Sequence, residues 1–229
     1  KAAMDHGQTH YAPNRGLASL REEISRKLLR DNGITADPAT EILVTSGCAE
    51  GLYLVFMGLV EPGDEVIIPT PCWVSYPEIV RIVGGVPVLV QGDAKKGFVT
   101  EAEDLAPYVT ERTKALILNS PNNPTGRIYT RAELEGFARI IRKKEQEYNG
   151  EEHVSIASLG EDIFRQTIVI NGVSKSYAMT GWRIGYTAGP IEVIRAMSSL
   201  QSQVASGSNS IAQYAAEEAL RSPKGREAI

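Results

Sequence analysis

Two cationic residues in the second half of the chain have the most chemistry to offer, Lys175 and, eight positions on, Arg183. Lys175 stands in Asn171-Gly172-Val173-Ser174-Lys175-Ser176, among Ser, Gly and apolar residues and with no acidic neighbour in sequence. A lysine in that setting is either an ordinary solvated side chain or a partly desolvated amine able to act as a nucleophile. Arg183 ends Ala178-Met179-Thr180-Gly181-Trp182-Arg183. Its guanidinium fork fits a phosphate, or else a carboxylate at the surface. Ser46-Gly47-Cys48-Ala49 opens a helical pattern with small residues. Such a start caps a helix, and it also lets backbone N–H groups approach an anion with the helix dipole behind them. Pro69-Thr70-Pro71-Cys72-Trp73 brings an indole that either packs in a core or covers a flat ring. Asn119-Ser120-Pro121-Asn122-Asn123-Pro124-Thr125-Gly126 dictates a tight, hydrogen-bonded loop, and it is richer in Pro and Asn than a plain turn needs. His6 and His10 have helical i,i+4 spacing but no Glu partner and no clear helix, so no metal is expected there. The sequence has neither a P-loop nor a GxGxxG string, and Gly84-Gly85 reads as a helix stop.

These residues need elements to hold them. Short, apolar, turn-bounded runs predict strands over Ile42–Thr45, Val66–Ile68, Val86–Val90, Ala115–Asn119, Ile168–Asn171 and Ile184–Thr187. Helical spacing aligns Leu17, Leu20, Ile24 and Leu28, then Leu52, Val55, Phe56 and Leu59, then Ile79, Val80 and Val83, then Leu134, Phe137, Ala138 and Ile141. Glu192–Ser202 and Ser210–Arg221 read as two more helices. Strand–helix alternation predicts an α/β protein with a mostly parallel sheet, and ligands of such sheets lie beyond the carboxyl ends of the strands. The candidate residues above, His6 and His10 apart, all follow predicted strands. The alternation fails once. Arg142–Glu152 is polar and charged where a buried strand is due, so either a long surface loop lies there or a segment is missing near Glu145–Tyr148.

Composition bounds the rest. The 229 residues carry 24 Lys+Arg against 28 Asp+Glu, a net charge of −4, which gives no basic stripe for nucleic acid. A hydrophobic share of 42 % is that of a globular chain with a sizeable core. Two cysteines make neither a disulfide framework nor a zinc quartet, which suits a reducing, cytoplasmic setting. No apolar run has the length of a membrane helix, and the first ten residues carry no signal-peptide core. The chain starts at Lys1, without an initiating Met, and stops at Ile229, as a piece of a longer protein would.

Taken together, Tyr11–Glu22 (YAPNRGLASLRE), Thr45–Leu52 (TSGCAEGL), Pro62–Trp73 (PGDEVIIPTPCW), Ser120–Gly126 (SPNNPTG) and Asn171–Tyr186 (NGVSKSYAMTGWRIGY) resemble the class I/II aminotransferases of fold type I, which use pyridoxal 5′-phosphate (PLP). The closest likeness is to the aspartate/aromatic aminotransferase branch. The strings cover most of the chain in the family's order. The resemblance implies an α/β three-layer sandwich with a mostly parallel mixed sheet, the large domain of PLP-dependent transferases. It implies that residues 1–229 are an incomplete large domain, with the N-terminal arm and the C-terminal small domain absent. It gives Lys175 the Schiff base with PLP and the proton transfer that follows. Arg183, Ser174 and the N–H groups of Gly47, Cys48 and Ala49 would hold the phosphate. Trp73 would stack on the ring, against the core reading, and Asn123 would hydrogen-bond the phenolic oxygen. Tyr11 would reach the phosphate of a neighbouring subunit, making a homodimer with shared sites. Amino-acid and 2-oxo-acid substrates are implied, with no nucleic-acid and no membrane partner. Cis peptide bonds are expected at Asn123–Pro124 and, secondarily, at Thr70–Pro71.

Two departures bear on this. The family's Asp-x-x-Tyr motif, whose Asp pairs with the pyridinium nitrogen, has no counterpart before Lys175. The simplest account is that the sequence gives only part of the protein. Some aspartate-specific relatives carry a Lys where Ala49 stands, so aromatic or alanine-type specificity stays open. A PLP-dependent β-lyase and a PLP-binding regulatory domain are the competing functions, though Lys1–Thr9 shows no trace of a basic DNA-binding module.

Overall fold

β-branched runs become strands and the periodic apolar stretches become helices in a computed structural model that describes residues 2–142, 154–223 and 225. In chain order the elements are α1 (Ala2–Asp5), α2 (Ala18–Asn32), β1 (Ile42–Thr45), α3 (Cys48–Leu59), β2 (Glu65–Thr70), α4 (Ser75–Ile82), β3 (Val86–Gln91), α5 (Ala102–Leu105), β4 (Thr113–Leu116), α6 (Arg131–Arg142), α7 (Glu161–Phe164), β5 (Val169–Gly172), β6 (Gly185–Ala188), α8 (Ile191–Val204) and α9 (Ser210–Arg221). The expected break near Glu145–Tyr148 lies outside the described residues. Among the described residues, no helix is long and apolar enough to cross a membrane.

The chain divides into two compact units. The first joins Lys1–Gly58 to Phe164–Ile229. Its sheet has the order β1-β6-β5, with β6 antiparallel to both neighbours, and Thr187 pairs with Leu43 on one side and Ile170 on the other. β1 and β6 are buried along their whole length, which explains why neither alternates polar with apolar residues. α2 turns Leu20, Ile24 and Leu28 inward, on the stripe its spacing predicts, and packs against α9 and β1. It stops at Gly33, whose left-handed backbone (φ 64°) lets its N–H reach the carbonyls of Leu28 and Leu29. α9 starts at Asn209, whose side chain accepts the Ala212 N–H at 2.9 Å. α8 buries Ile194, Met197 and Gln201 and packs on β1.

The second unit is the continuous stretch Leu59–Ile163. Its sheet, β3-β2-β4, is parallel throughout. β2 is central and buried from Glu65 to Pro69, whereas Val86 and Leu89 on edge strand β3 are exposed. Ile67, Val90, Leu105, Leu134 and Phe137 form its core, and Tyr129 meets Phe137 edge-on with ring centroids 5.3 Å apart. Glu65 is buried at the start of β2 but not alone. Its carboxylate accepts from the Arg112 guanidinium and the Thr110 hydroxyl, each at 2.6 Å.

Candidate active site

The first unit places Lys175 and Arg183 on one connection, between β5 and β6. Beyond β5 the chain winds into a tight turn in which Tyr177 N–H donates to Val173 O, Ala178 N–H to Lys175 O and Met179 N–H to Ser174 O. Lys175 is exposed on that turn, which favours the solvated of the two settings its sequence leaves open. Ser174 is half-buried beside it. A 3-10 turn at Thr180–Trp182 follows, and Arg183 takes the left-handed region with φ 54°. Its Nη1 donates to Thr180 O at 2.9 Å. The left-handed backbone of Arg183 is uncommon for a residue with a long side chain, and such residues gather at functional sites.

Arg183 is exposed as a residue, yet its guanidinium lies across the start of α3. A methyl group built on Gly47 would meet Arg183 Nη2 at 2.3 Å and Cζ at 3.0 Å. Gly47 itself has φ 81°, so the position demands glycine on two counts. Gly185 is equally confined, since a Cβ there would meet Cys48 N and Gly47 C at 2.6 Å. The β1–α3 turn is tied from within: Gly47 N–H donates to Thr45 O at 2.9 Å, and the Thr45 hydroxyl donates to Gly47 O at 3.0 Å. A helix cannot use the N–H groups of its own first turn. α3 therefore presents the N–H groups of Cys48 and Ala49 beside a guanidinium, a seat suited to a phosphate. The Cys48 thiol lies in this turn, and burial pushes its pKa up against the opposing pull of its own backbone N–H and, less, of Arg183. Tyr11, in the same unit, is 92 % exposed.

In the second unit Trp73 and Asn123 follow β2 and β4. Trp73 is half-buried and meets Tyr76 edge-on at 5.4 Å, so the core reading of this indole is wrong. Asn123 is exposed; its N–H donates to Asn119 Oδ1 at 2.8 Å. Asn122 does the folding of this loop. Its Oδ1 accepts from Thr125 N and Oγ1, and its Nδ2 donates to Pro71 O. Cis peptide bonds occur at Asn123–Pro124 and Thr70–Pro71, as expected, and also at Ser120–Pro121. Ile68, Cys72, Tyr76, Asn119, Asn122 and Tyr129 line a cavity of about 10 Å³, room for one water. Burial raises the pKa of the Cys72 thiol.

Two residues of the first unit have a place that sequence reading missed. Glu50, in the first turn of α3, accepts the Ser46 N–H at 2.5 Å. Gln201 on α8, fully buried, donates to Val44 O at 2.9 Å and to the Glu50 carboxylate at 3.4 Å. A glutamine inside a helical pattern carries no signal of this. Among the described residues, no group of three or more His, Cys, Asp or Glu could hold a metal ion.

Residues 1–228 match the aminotransferase class I and II family. The chain is 48 % identical to an aspartate aminotransferase of Geobacillus stearothermophilus, over 97 % of this chain and 59 % of that protein. It is 42 % identical to an aspartate/prephenate aminotransferase of Thermus thermophilus, over 100 % of this chain and 61 % of the relative. That match runs over 240 positions against the 229 residues here, so the relative has internal residues without a counterpart in this chain. Among solved structures, an aromatic aminotransferase from Pyrococcus horikoshii superposes with a TM-score of 0.93 at 41 % identity, covering 99 % of this chain and 64 % of that one. The Thermus thermophilus aspartate aminotransferase with maleate gives 0.92 at 42 %, covering 99 % and 61 %. The chain thus spans about three fifths of the length of its relatives and shares their α/β fold. By sequence and by fold, it belongs to the class I and II aminotransferase family.

Proposed function

We propose that this chain is the PLP-binding large domain of an aminotransferase that moves an amino group between an L-amino acid and a 2-oxo acid in two half-reactions. Family membership supports the reaction class, since class I and II aminotransferases generally use PLP. The observation that carries the cofactor reading is the Arg183 guanidinium laid over Gly47 at the start of α3. A side chain there would fill the cradle, and its donors suit a dianion. When bound, PLP supplies an electrophilic aldehyde and a ring that accepts the electron pair released at the substrate α-carbon.

The chain's own residues divide the remaining work. Arg183 and the Gly47–Ala49 backbone hold the phosphate, with Ser174 assisting. Lys175, on a turn outside the regular elements, would hold the cofactor through its amine. When a substrate amine takes its place, the freed amine would serve as the base that moves a proton at the substrate α-carbon. Trp73 and Asn123 keep the roles the resemblance gives them, at the ring face and the phenolic oxygen. Tyr11, so exposed here, suits a phosphate in a second subunit, and a cytoplasmic homodimer goes with that role. The amino donor is an aspartate-like or aromatic amino acid, and a prephenate-like 2-oxo acid stands among the acceptors, in keeping with the names of the relatives.

Borohydride fixation tests the assignment. Treated with PLP and then borohydride, the protein should carry the cofactor on the peptide containing Lys175, and Lys175→Ala should carry none. Equal fixation in the variant would refute the role of Lys175. Product analysis tests the reaction: an oxo acid plus glutamate from an amino acid and 2-oxoglutarate supports transfer, whereas pyruvate plus ammonia means a β-lyase.

A further inference from the structure

We propose that Glu50 and Gln201 are positioning residues for the phosphate-binding turn, an inference that rests on the cofactor reading above. The turn from β1 into α3 must hold two things at once, the left-handed Gly47 and the first-turn N–H groups at the start of α3, which the helix itself cannot use. Glu50 reaches back to the Ser46 N–H at 2.5 Å and so pins the residue before Gly47. The carboxylate takes a donor that precedes the helix and leaves the first-turn donors to a ligand.

Gln201 holds the carboxylate in place. Both groups its amide faces are acceptors, the Val44 carbonyl at 2.9 Å and the Glu50 carboxylate at 3.4 Å, so its NH2 must point at them. One amide therefore bridges the end of strand β1, at Val44, to the first turn of α3. Its own Oε1 is buried and has no partner among the described residues. An unpaired buried carbonyl destabilises a fold, and a methionine of similar size would avoid that penalty. What only glutamine adds at this position is the double donor. Stability alone does not account for it; the geometry of the turn does.

Glu50 also opposes what it positions. A carboxylate near the start of α3 repels an incoming phosphate and competes for the helix dipole. Two substitutions separate charge from geometry. Glu50→Gln keeps an acceptor for Ser46 and removes the repulsion. Glu50→Ala removes both. A hydrogen bond from a backbone N–H to a carboxylate outweighs an exposed helix-dipole contribution, so the loss of geometry should dominate in the alanine variant.

The experiment titrates the whole chain with PLP and with pyridoxal, which lacks the phosphate, in four proteins: unsubstituted, Glu50→Ala, Glu50→Gln and Gln201→Met. Thermal denaturation without ligand is recorded alongside. Glu50→Ala and Gln201→Met should lose about tenfold in PLP affinity and change less than about twofold for pyridoxal. Glu50→Gln should bind PLP as tightly as the unsubstituted chain, or more tightly. Unchanged PLP affinity in Glu50→Ala, or equal losses for both ligands, would overturn the positioning role. So would a Glu50→Gln protein as weak as Glu50→Ala. If Gln201→Met does not fold, the two Glu50 variants decide the matter alone. If the unsubstituted chain binds PLP and pyridoxal equally, the phosphate reading itself fails, and that outcome is distinct from the others.

Discussion

Gly47→Ala puts the phosphate seat to its most direct test, because the structure lets the consequences be separated. The backbone at this position has φ 81°. A residue with a Cβ pays about 1–2 kcal/mol in the left-handed region. For a chain of this size that corresponds to a melting shift of roughly 2–8 °C. The new methyl would also meet Arg183 Nη2 at 2.3 Å. That neighbour is the tip of a flexible side chain, so the clash is relieved by moving the guanidinium and adds little to the folding penalty. The function bears the larger loss. A displaced Arg183 gives up its bond to Thr180 O and no longer faces the N–H groups at the start of α3. Losing a charge-assisted contact to a phosphate costs about 1.5–3 kcal/mol, or roughly ten- to a hundredfold in affinity. Titration with PLP, and denaturation without it, measure the two effects independently. The same substitution in an Arg183→Leu background should retain the stability loss and add no further loss of PLP affinity. Full PLP affinity in Gly47→Ala, or additive losses in the double variant, would show that the guanidinium does not work at this turn.

Four other outcomes follow from single sites. Gly185→Ala should destabilise the fold by about 1–3 kcal/mol, more than Gly47→Ala on the packing count, because its methyl would strike the backbone of Gly47 and Cys48, which cannot swing aside; equal melting temperatures for Gly185→Ala and the unsubstituted chain would contradict this. Tyr186 is fully buried and its pKa is pushed well up, chiefly by burial. The unfolded chain alone then loses that proton above about pH 10, so stability should fall by about 1.4 kcal/mol per pH unit there, and denaturation of Tyr186→Phe should show a shallower alkaline slope. The raised thiol of Cys48 should alkylate slowly at neutral pH, with a rate still climbing past pH 9, and PLP should slow it further; mass spectrometry of labelled peptides reads both effects. Arg112→Ala should cost about 1–2 kcal/mol in chemical denaturation, because the buried Glu65 carboxylate keeps the Thr110 hydroxyl but loses its cation.

Much of the architecture is legible in the residues. Ile42–Thr45 and Ser210–Arg221 have the bounds their patterns predict, since a short apolar run and an Asn-capped amphipathic stretch leave little choice. β4 comes earlier than its apolar run suggests, at Thr113–Leu116 rather than Ala115–Asn119. There the ladder to β2 sets the bounds, and the proline-rich loop that follows takes Asn119 into its own hydrogen bonds. α5 and α7 went unread because four residues are too few for a helical period, although Glu101 and Asp104 form a capping box at the start of α5. Around Lys175, Arg183 and Gly47 no single residue stands out from an ordinary turn; the roles proposed for them come from the family strings taken together. For Trp73 the residue pattern alone favours a core, since an isolated indole usually packs there; the family strings point the other way, and its half-buried setting agrees with them. Glu50 and Gln201 were beyond reach, because their contact joins residues 151 positions apart and neither breaks its local pattern.

The first unit is assembled from both ends of the chain, and this sets an order of events during synthesis. Leu59–Ile163 is continuous, and its three parallel strands are all available before the ribosome reaches β5. β1 emerges early but must wait for β6, since Leu43 pairs with Thr187 and Val44 with Tyr186. Until then β1, wholly apolar but for Thr45, has no sheet neighbour and presents an open edge to other nascent chains. Gly47 and Arg183 meet only when that pairing closes. The meeting of Gly47 and Arg183 therefore comes only after β6 has emerged, later than the pairing of β2, β3 and β4 can begin. Any variant that slows the docking of β6 onto β1 should lower the yield of cofactor-loaded protein in the cell more than it lowers the stability of the purified molecule.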